Sequence, residues 1–264
     1  MKSQGFTLVE LAIVLMIIGL LIGGILRGQE LLGNARVTST IQQVSSYIGA
    51  THTFRDTYNA TPGDMIDAKI RLPNAGSNGQ LKNGDGNSII GVQHSASSQL
   101  DEPWATVDTA MTTENAQYWK HLSQAHLISG IDPGATSPEW GKSNPKAKLG
   151  DAGFFMRWSS CSNPVGCGGG TSNHYLVLFK NINGVANCLQ NSGCAVAPIR
   201  AAQMDRKMDD GFAVNGDVIA ISFSWANGCG DPNVGIGQAT KNGANGYDES
   251  KYVPACDMMF KVPM

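Results

Sequence analysis

The stretch "GFTLVELAIVLMIIGLLIGGILRG", running from Gly5 to Gly28, decides how the rest of the chain is read. From Phe6 to Leu26 it is almost wholly apolar, and at 1.5 Å per residue it is long enough to cross a hydrocarbon layer of ~30 Å. One carboxylate, Glu10, sits just inside its start. An ionised glutamate in lipid costs at least ~2–3 kcal/mol and is usually functional or paired. If the chain is cut between Gly5 and Phe6, the new α-amine lies one helical turn from Glu10, on its own helix or on a neighbouring one. The bland alternative is a glutamate near the interface whose side chain reaches back to water.

A secretory signal peptide has a shorter apolar core followed by a small-residue cleavage site. No A-x-A site follows this run, so it is expected to stay in the product as a membrane anchor. Lys2 precedes the span while Arg27 and Arg36 follow it, which leaves orientation by charge weak. Gly19, Gly23, Gly24 and Gly28 form two overlapping GxxxG patterns. They suit close helix–helix packing in a membrane, or a weak helical segment able to unwind when its surroundings change.

The helical pattern does not stop at the membrane edge. Arg27 to Tyr58 holds no proline, and Val37, Ile41, Val44, Ile48 and Thr51 recur at three- and four-residue steps, with Tyr47, Phe54 and Tyr58 beside them. That is one buried stripe. Residues 6–58 are predicted as a single helix of roughly 80 Å, ended by Pro62-Gly63.

Residues 59–264 hold 15 Lys and Arg against 18 Asp and Glu, which gives no basic footprint for nucleic acid over that domain. The segment is large enough for one domain with its own core, and its Gly, Asn, Ser and Thr content marks it as loop-rich. Apolar runs at 153–159, 174–182, 217–225 and 257–262 are predicted strands, bounded by Gly, Asn, Pro and Ser turns. Residues 114–128 and 198–208 are predicted helices, with Pro198 suited to a first turn and Gly211 following the last. An antiparallel sheet packed on the 37–58 stripe makes the fold class α+β.

All six cysteines lie in the C-terminal half, with no CxxC pair and no Cys/His cluster, which reads as disulfides. Six allow 15 pairings. The sequential set, Cys161–Cys167, Cys188–Cys194 and Cys229–Cys256, is favoured because two of its pairs close short loops. Disulfides imply an oxidising compartment, which puts the N-terminus inside and the domain outside the cytoplasm.

Gly5-Phe6-Thr7-Leu8-Val9-Glu10, behind a five-residue leader and fused to an apolar helix, resembles the N-terminus of type IV pilins and type II secretion pseudopilins. The motif covers about the first 30 residues. More loosely, "ATPGDM" (60–65), "NGDGN" (83–87), "YWKHLSQAHLISG" (118–130) and "DRKMDDGFAVNGDV" (205–218) are similar to longer prepilins. The resemblance implies that residues 1–5 are a leader, removed by a membrane prepilin peptidase that also methylates the Phe6 amine. It implies residence in the inner membrane, then extraction by an inner-membrane assembly platform into a filament of copies of itself or of co-subunits. In that filament Glu10 neutralises the amine of an adjacent subunit. Many pilins carry a proline near the position of Arg27; this chain does not, which leaves the glycine-rich stretch as the place for the helix to loosen. Cys229–Cys256 is similar to the C-terminal disulfide loop that forms part of the exposed surface of pilins.

The expected function is therefore structural: a subunit of a type IV pilus or pilus-like filament at the cell surface, serving adhesion, motility or attachment. The alternatives are a pseudopilin that drives protein secretion, a minor or DNA-uptake pilin, which the domain's charge disfavours, and a membrane-anchored periplasmic enzyme. No catalytic set is visible: His121 and His126 are five apart, and no G-x-S-x-G or P-loop occurs. No cofactor is expected. Asn83, Asp85 and Asn87 alternate oxygen ligands as a Ca²⁺ loop does, but Ser88 and His94 stand where an EF-hand needs Gly and Glu, so a metal-free turn is the favoured reading. Asp209 and Asp210 are expected to close a helix.

Overall fold

The computed structural model describes residues 7–73, 80–91, 111–159, 173–180, 182, 194–213, 216–221, 229 and 246–264. In chain order they form α1 (Leu8–Tyr58), α2 (Ala68–Arg71), α3 (Glu114–Gln124), β1 (Gly153–Ser159), β2 (Asn173–Phe179), α4 (Pro198–Met208), β3 (Val218–Ile221) and β4 (Asp257–Val262). The fold is α+β, with a 51-residue first helix and a four-stranded antiparallel sheet of order β1-β2-β4-β3.

α1 starts at Leu8 because Thr7 caps it in an extended conformation. It ends three residues before Pro62, where Asn59 turns left-handed at φ 49° and its N–H reaches the Arg55 carbonyl. Asparagine tolerates that conformation better than most residues. Residues 1–6, including the Gly5–Phe6 bond, lie outside the described residues.

The stripe foreseen on the second half of α1 faces the core. Val37, Val44, Thr51 and Phe54 are fully buried, while Ile41, Tyr47, Ile48 and Tyr58 are half-buried against them. Thr40, not foreseen, is also buried and spends its hydroxyl on the Arg36 carbonyl at 2.9 Å. Tyr47 is the hinge of the packing: its ring meets Trp119 edge-on at 5.1 Å and Phe154 at 5.6 Å, joining α1 to α3 and to β1.

Side chains alternate across the strands. Phe154, Met156, Leu176, Leu178, Val218, Met258 and Phe260 enter the main core with α1, α3 and α4. Phe155, Tyr175, Val177, Ile219 and Met259 belong to a second cluster on the far face, with half-buried Trp140 packed against it.

β1, α4 and β4 occupy the predicted residues. β2 runs 173–179, ending three residues sooner than predicted, and the described part of the 217–225 run is β3, residues 218–221. α3 stops at Gln124, not at Ile128: His126 goes left-handed at φ 59°, and the N–H of Leu127 returns to the Leu122 carbonyl. Those are the marks of a Schellman stop made without glycine.

Cys229 and Cys256 are joined, with Cα atoms 5.7 Å apart, so the bond reaches the residue before β4. Cys194 is also disulfide-bonded. Cys161, Cys167 and Cys188 lie outside the described residues, and so do the two pairings that involve them.

Candidate functional site

Two features carry the chemistry: the bare half of α1, and the polar clusters that hold the domain to its other half.

At its start α1 is closed by a reciprocal capping box. The Glu10 N–H donates to Thr7 Oγ1 at 3.3 Å, and Glu10 Oε2 accepts from the Thr7 N–H at 2.8 Å and the Thr7 hydroxyl at 2.9 Å. A carboxylate in the first turn also suits the positive end of the helix dipole. These bonds involve only Oε2. Among the described residues Oε1 accepts none, and the side chain is fully exposed. Glu10 thus does a local job with one oxygen and presents the other.

From Leu8 to Leu32 every residue of α1 is exposed, including sixteen large apolar side chains. The helix is long and apolar enough to cross a membrane, judged by length and composition. A Cβ added at Gly19, Gly23, Gly24 or Gly28 would meet nothing within 4 Å, so that glycine face is open to a neighbouring helix. Just past the span, Arg27 and Glu30 form an exposed ion pair at 3.5 Å.

The domain takes hold at Gly33. Arg200 of α4 crosses the helix there, bonded to Asn34 Oδ1 and Gln203 Oε1 at 2.8 Å each, and a side chain at position 33 would collide with its guanidinium. One turn on, Lys207 donates to Thr38 Oγ1 at 3.2 Å. Farther up, Tyr118 shares a short hydrogen bond with Thr51. Buried His121 takes the Gly63 N–H on Nδ1 at 2.9 Å and faces the Lys82 carbonyl with Nε2. Burial pushes this imidazole down to about 4, so it packs as the neutral form.

The 83–87 loop is organised by carboxylates from elsewhere. Asp64 accepts from the N–H groups of Gly86 (2.6 Å), Asn87 (3.2 Å) and Ser88 (2.7 Å). Glu114 accepts from Asp85 (3.0 Å) and Gly91 (3.2 Å). Asn83 and Asn87 turn their oxygens to the N–H groups of Lys69 and Ile89. The predicted ligand trio is therefore not gathered; Asp85 lies instead with Asp64 and Glu114, their oxygens within 4.8 Å of one another. Those three are the residues of this region that could hold a cation. Every one of their six oxygens already accepts an N–H, the two of Asp85 from Asn87. Burial, helped by the charges of Asp64 and Asp85, raises the Glu114 carboxyl to about 7.

A second acidic group, Asp205, Asp209 and Asp210, closes α4 as expected. Asp209 accepts from the Val218 N–H at 3.0 Å, and Asp210 from Phe212 at 2.8 Å. Buried Asp205, missed from sequence, takes the Gly211 N–H and the Tyr247 hydroxyl, and burial raises it to about 7. Neither cluster lines up a nucleophile, a base and an acceptor site.

Comparison with known proteins is confined to the N-terminus. Residues 1–26 match the family model described as the prokaryotic N-terminal methylation motif, the signature of type IV pilins and pseudopilins. Families that bear it are structural rather than enzymatic. No curated protein and no solved structure matches the chain.

Proposed function

We propose that the chain is a structural subunit of a type IV pilus or pilus-like filament. The observation that carries this reading is the contrast within α1: the half bearing the methylation motif is exposed from Leu8 to Leu32, and the other half is built into a domain. Before assembly the bare half rests in the inner membrane, with the domain in the periplasm. Prepilin peptidase cuts between Gly5 and Phe6 and methylates Phe6. An assembly platform then moves the helix from lipid to a core of like helices, where Glu10 Oε1 meets the Phe6 amine of a neighbour. Gly19, Gly23, Gly24 and Gly28 let those helices approach closely or loosen. The loop closed by Cys229–Cys256 lies on the filament's outer face.

Fractionation tests this directly. Recovery of the processed chain in filaments sheared from cells supports a pilus subunit. Recovery in the membrane fraction alone overturns it in favour of a pseudopilin or minor pilin.

A further inference from the structure

Two features of the domain surface remain unexplained, and they fit each other. The first is a cleft of about 500 Å³ beside the last turns of α1. His52, Arg55 and Asp56 line it from the last turns of α1 and Asn59 from the helix's C-cap, and Ile66, 61% exposed, lines it as well. Arg55 is half-buried, yet its guanidinium makes no hydrogen bond or ion pair among the described residues. A cation held in a cleft without a partner is a binding element waiting for one.

The second is a projecting loop. Tyr252 is 74% exposed and Val253 62%, although both ends of their segment are pinned. On one side Glu249 grips Arg206 of α4 with two bonds of 2.6 and 2.9 Å. On the other, the N–H groups of Ala255 and Cys256 both reach the Val196 carbonyl at 2.9 Å, and Cys256 is tied to Cys229. Large apolar side chains held out on a pre-ordered loop cost little entropy on docking.

Their heights along α1 decide who the partner is. The loop spans the two ends of α4, which meet α1 at Asn34 and Thr38. The cleft lies at residues 52–59 of α1, about 30 Å farther from the membrane segment. Knob and socket therefore belong to different levels of the same subunit. Between copies that lie parallel, a contact between patches at such different heights cannot be reciprocal; it is heterologous, and repeating it gives an open helical array where the rotation does not close into a ring.

We propose that residues 251–254 of one copy dock into the α1 cleft of a second copy, with Tyr252 against Arg55 and Val253 against Ile66. The guanidinium lies over the phenol ring, and the hydroxyl reaches Asp56 or Asn59. This contact rests on the filament reading, and locks the outer shell of the filament while the helices form its centre.

The test places the photocrosslinker p-benzoylphenylalanine at position 252 of the full chain and irradiates sheared filaments. The contact predicts intermolecular dimers in which the peptide bearing position 252 is joined to the one bearing Arg55 or Ile66. Filaments with no crosslink, or with crosslinks only elsewhere, overturn it. Absence of filaments from the unaltered chain is a different failure, that of the filament reading itself. If the crosslinker blocks assembly, Tyr252→Ala and Arg55→Ala replace it. Each should cut filament yield about five- to tenfold with the thermal midpoint unchanged, and the double variant should be no worse than the worse single one. Independent, multiplying losses, or none, refute the docking.

Discussion

α1 from Leu8 to Leu32 and α1 from Gly33 to Tyr58 are one continuous helix in two unlike settings. The first stretch is apolar on every side and exposed at every residue. The second is apolar on one stripe, which is packed against α3, α4 and the sheet. A helix apolar all round belongs in lipid or among other helices, and a one-sided one belongs on a core. The boundary is set by Arg200 lying across Gly33, so the domain grips α1 at one end and leaves the rest as a free shaft. Stability and assembly are thereby assigned to separate halves of the same element.

The sharpest way to break this division is at Glu10. Glu10→Ala removes the reciprocal half of the capping box and the partner-facing oxygen together, while the Thr7 hydroxyl still accepts the residue-10 N–H. That costs less than the ~1 kcal/mol of a whole N-cap, at a helix start too remote from the domain to unfold it. Filament yield should fall by at least about tenfold, as expected for loss of one paired charge in lipid, while the chain stays membrane-bound. Normal filaments in a shearing assay would end the role given to Glu10.

A pair of truncations comes next. Phe54→Ala empties a fully buried site and should cost about 3–5 kcal/mol in denaturant unfolding of the full chain in detergent. Leu15→Ala, on the bare half, should change that value by less than about 0.5 kcal/mol. Similar losses from both would erase the contrast.

The packed half also carries a pH signature. Burial raises Glu114 and Asp205 to about 7 and Asp257 to about 8. Their unfolded values lie near 4, so the native state holds more protons and loses stability as pH rises through this range. Buried His121 and His174, lowered to about 4, act oppositely but only below their unfolded value of about 6.5. The thermal midpoint should therefore climb as pH drops from about 8 to 6.5. Asp257, one of whose oxygens is buried without a partner among the described residues, should dominate, and Asp257→Asn should flatten the slope. A midpoint that falls over that interval would contradict the assignment.

The smallest effect expected is that of calcium. Backbone N–H groups and the Asn87 side-chain amide already fill the oxygens of Asp64, Asp85 and Glu114, doing for the loop what a cation would do. Millimolar Ca²⁺ should leave the thermal midpoint unmoved; a clear rise would show that the ion displaces those donors.

Local signals made much of this readable in advance. Pro198 opened α4, and short apolar runs bounded by turn residues marked β1 and β4, since each signal lies within or beside its own element. The end of α1 at Tyr58 was legible from Pro62-Gly63, but that of α3 was not, because His126 took the left-handed role that glycine usually announces. The sheet order was not legible, because β2–β4 pairing joins residues about 80 apart. Nor was the union of Asp64 with Glu114, which needs Gly63 at φ 91° pressed against the Glu114 carbonyl. At the N-terminus the motif and the span were visible, but the capping bond to Thr7 was not foreseen.

The central claim is that the bare helix is processed and built into a filament. An intact-mass and N-terminal peptide analysis of filaments sheared from cells tests it most directly. The account predicts a dominant chain that begins at N-methylated Phe6. A chain that keeps residues 1–5 in cells with an active prepilin peptidase would contradict it.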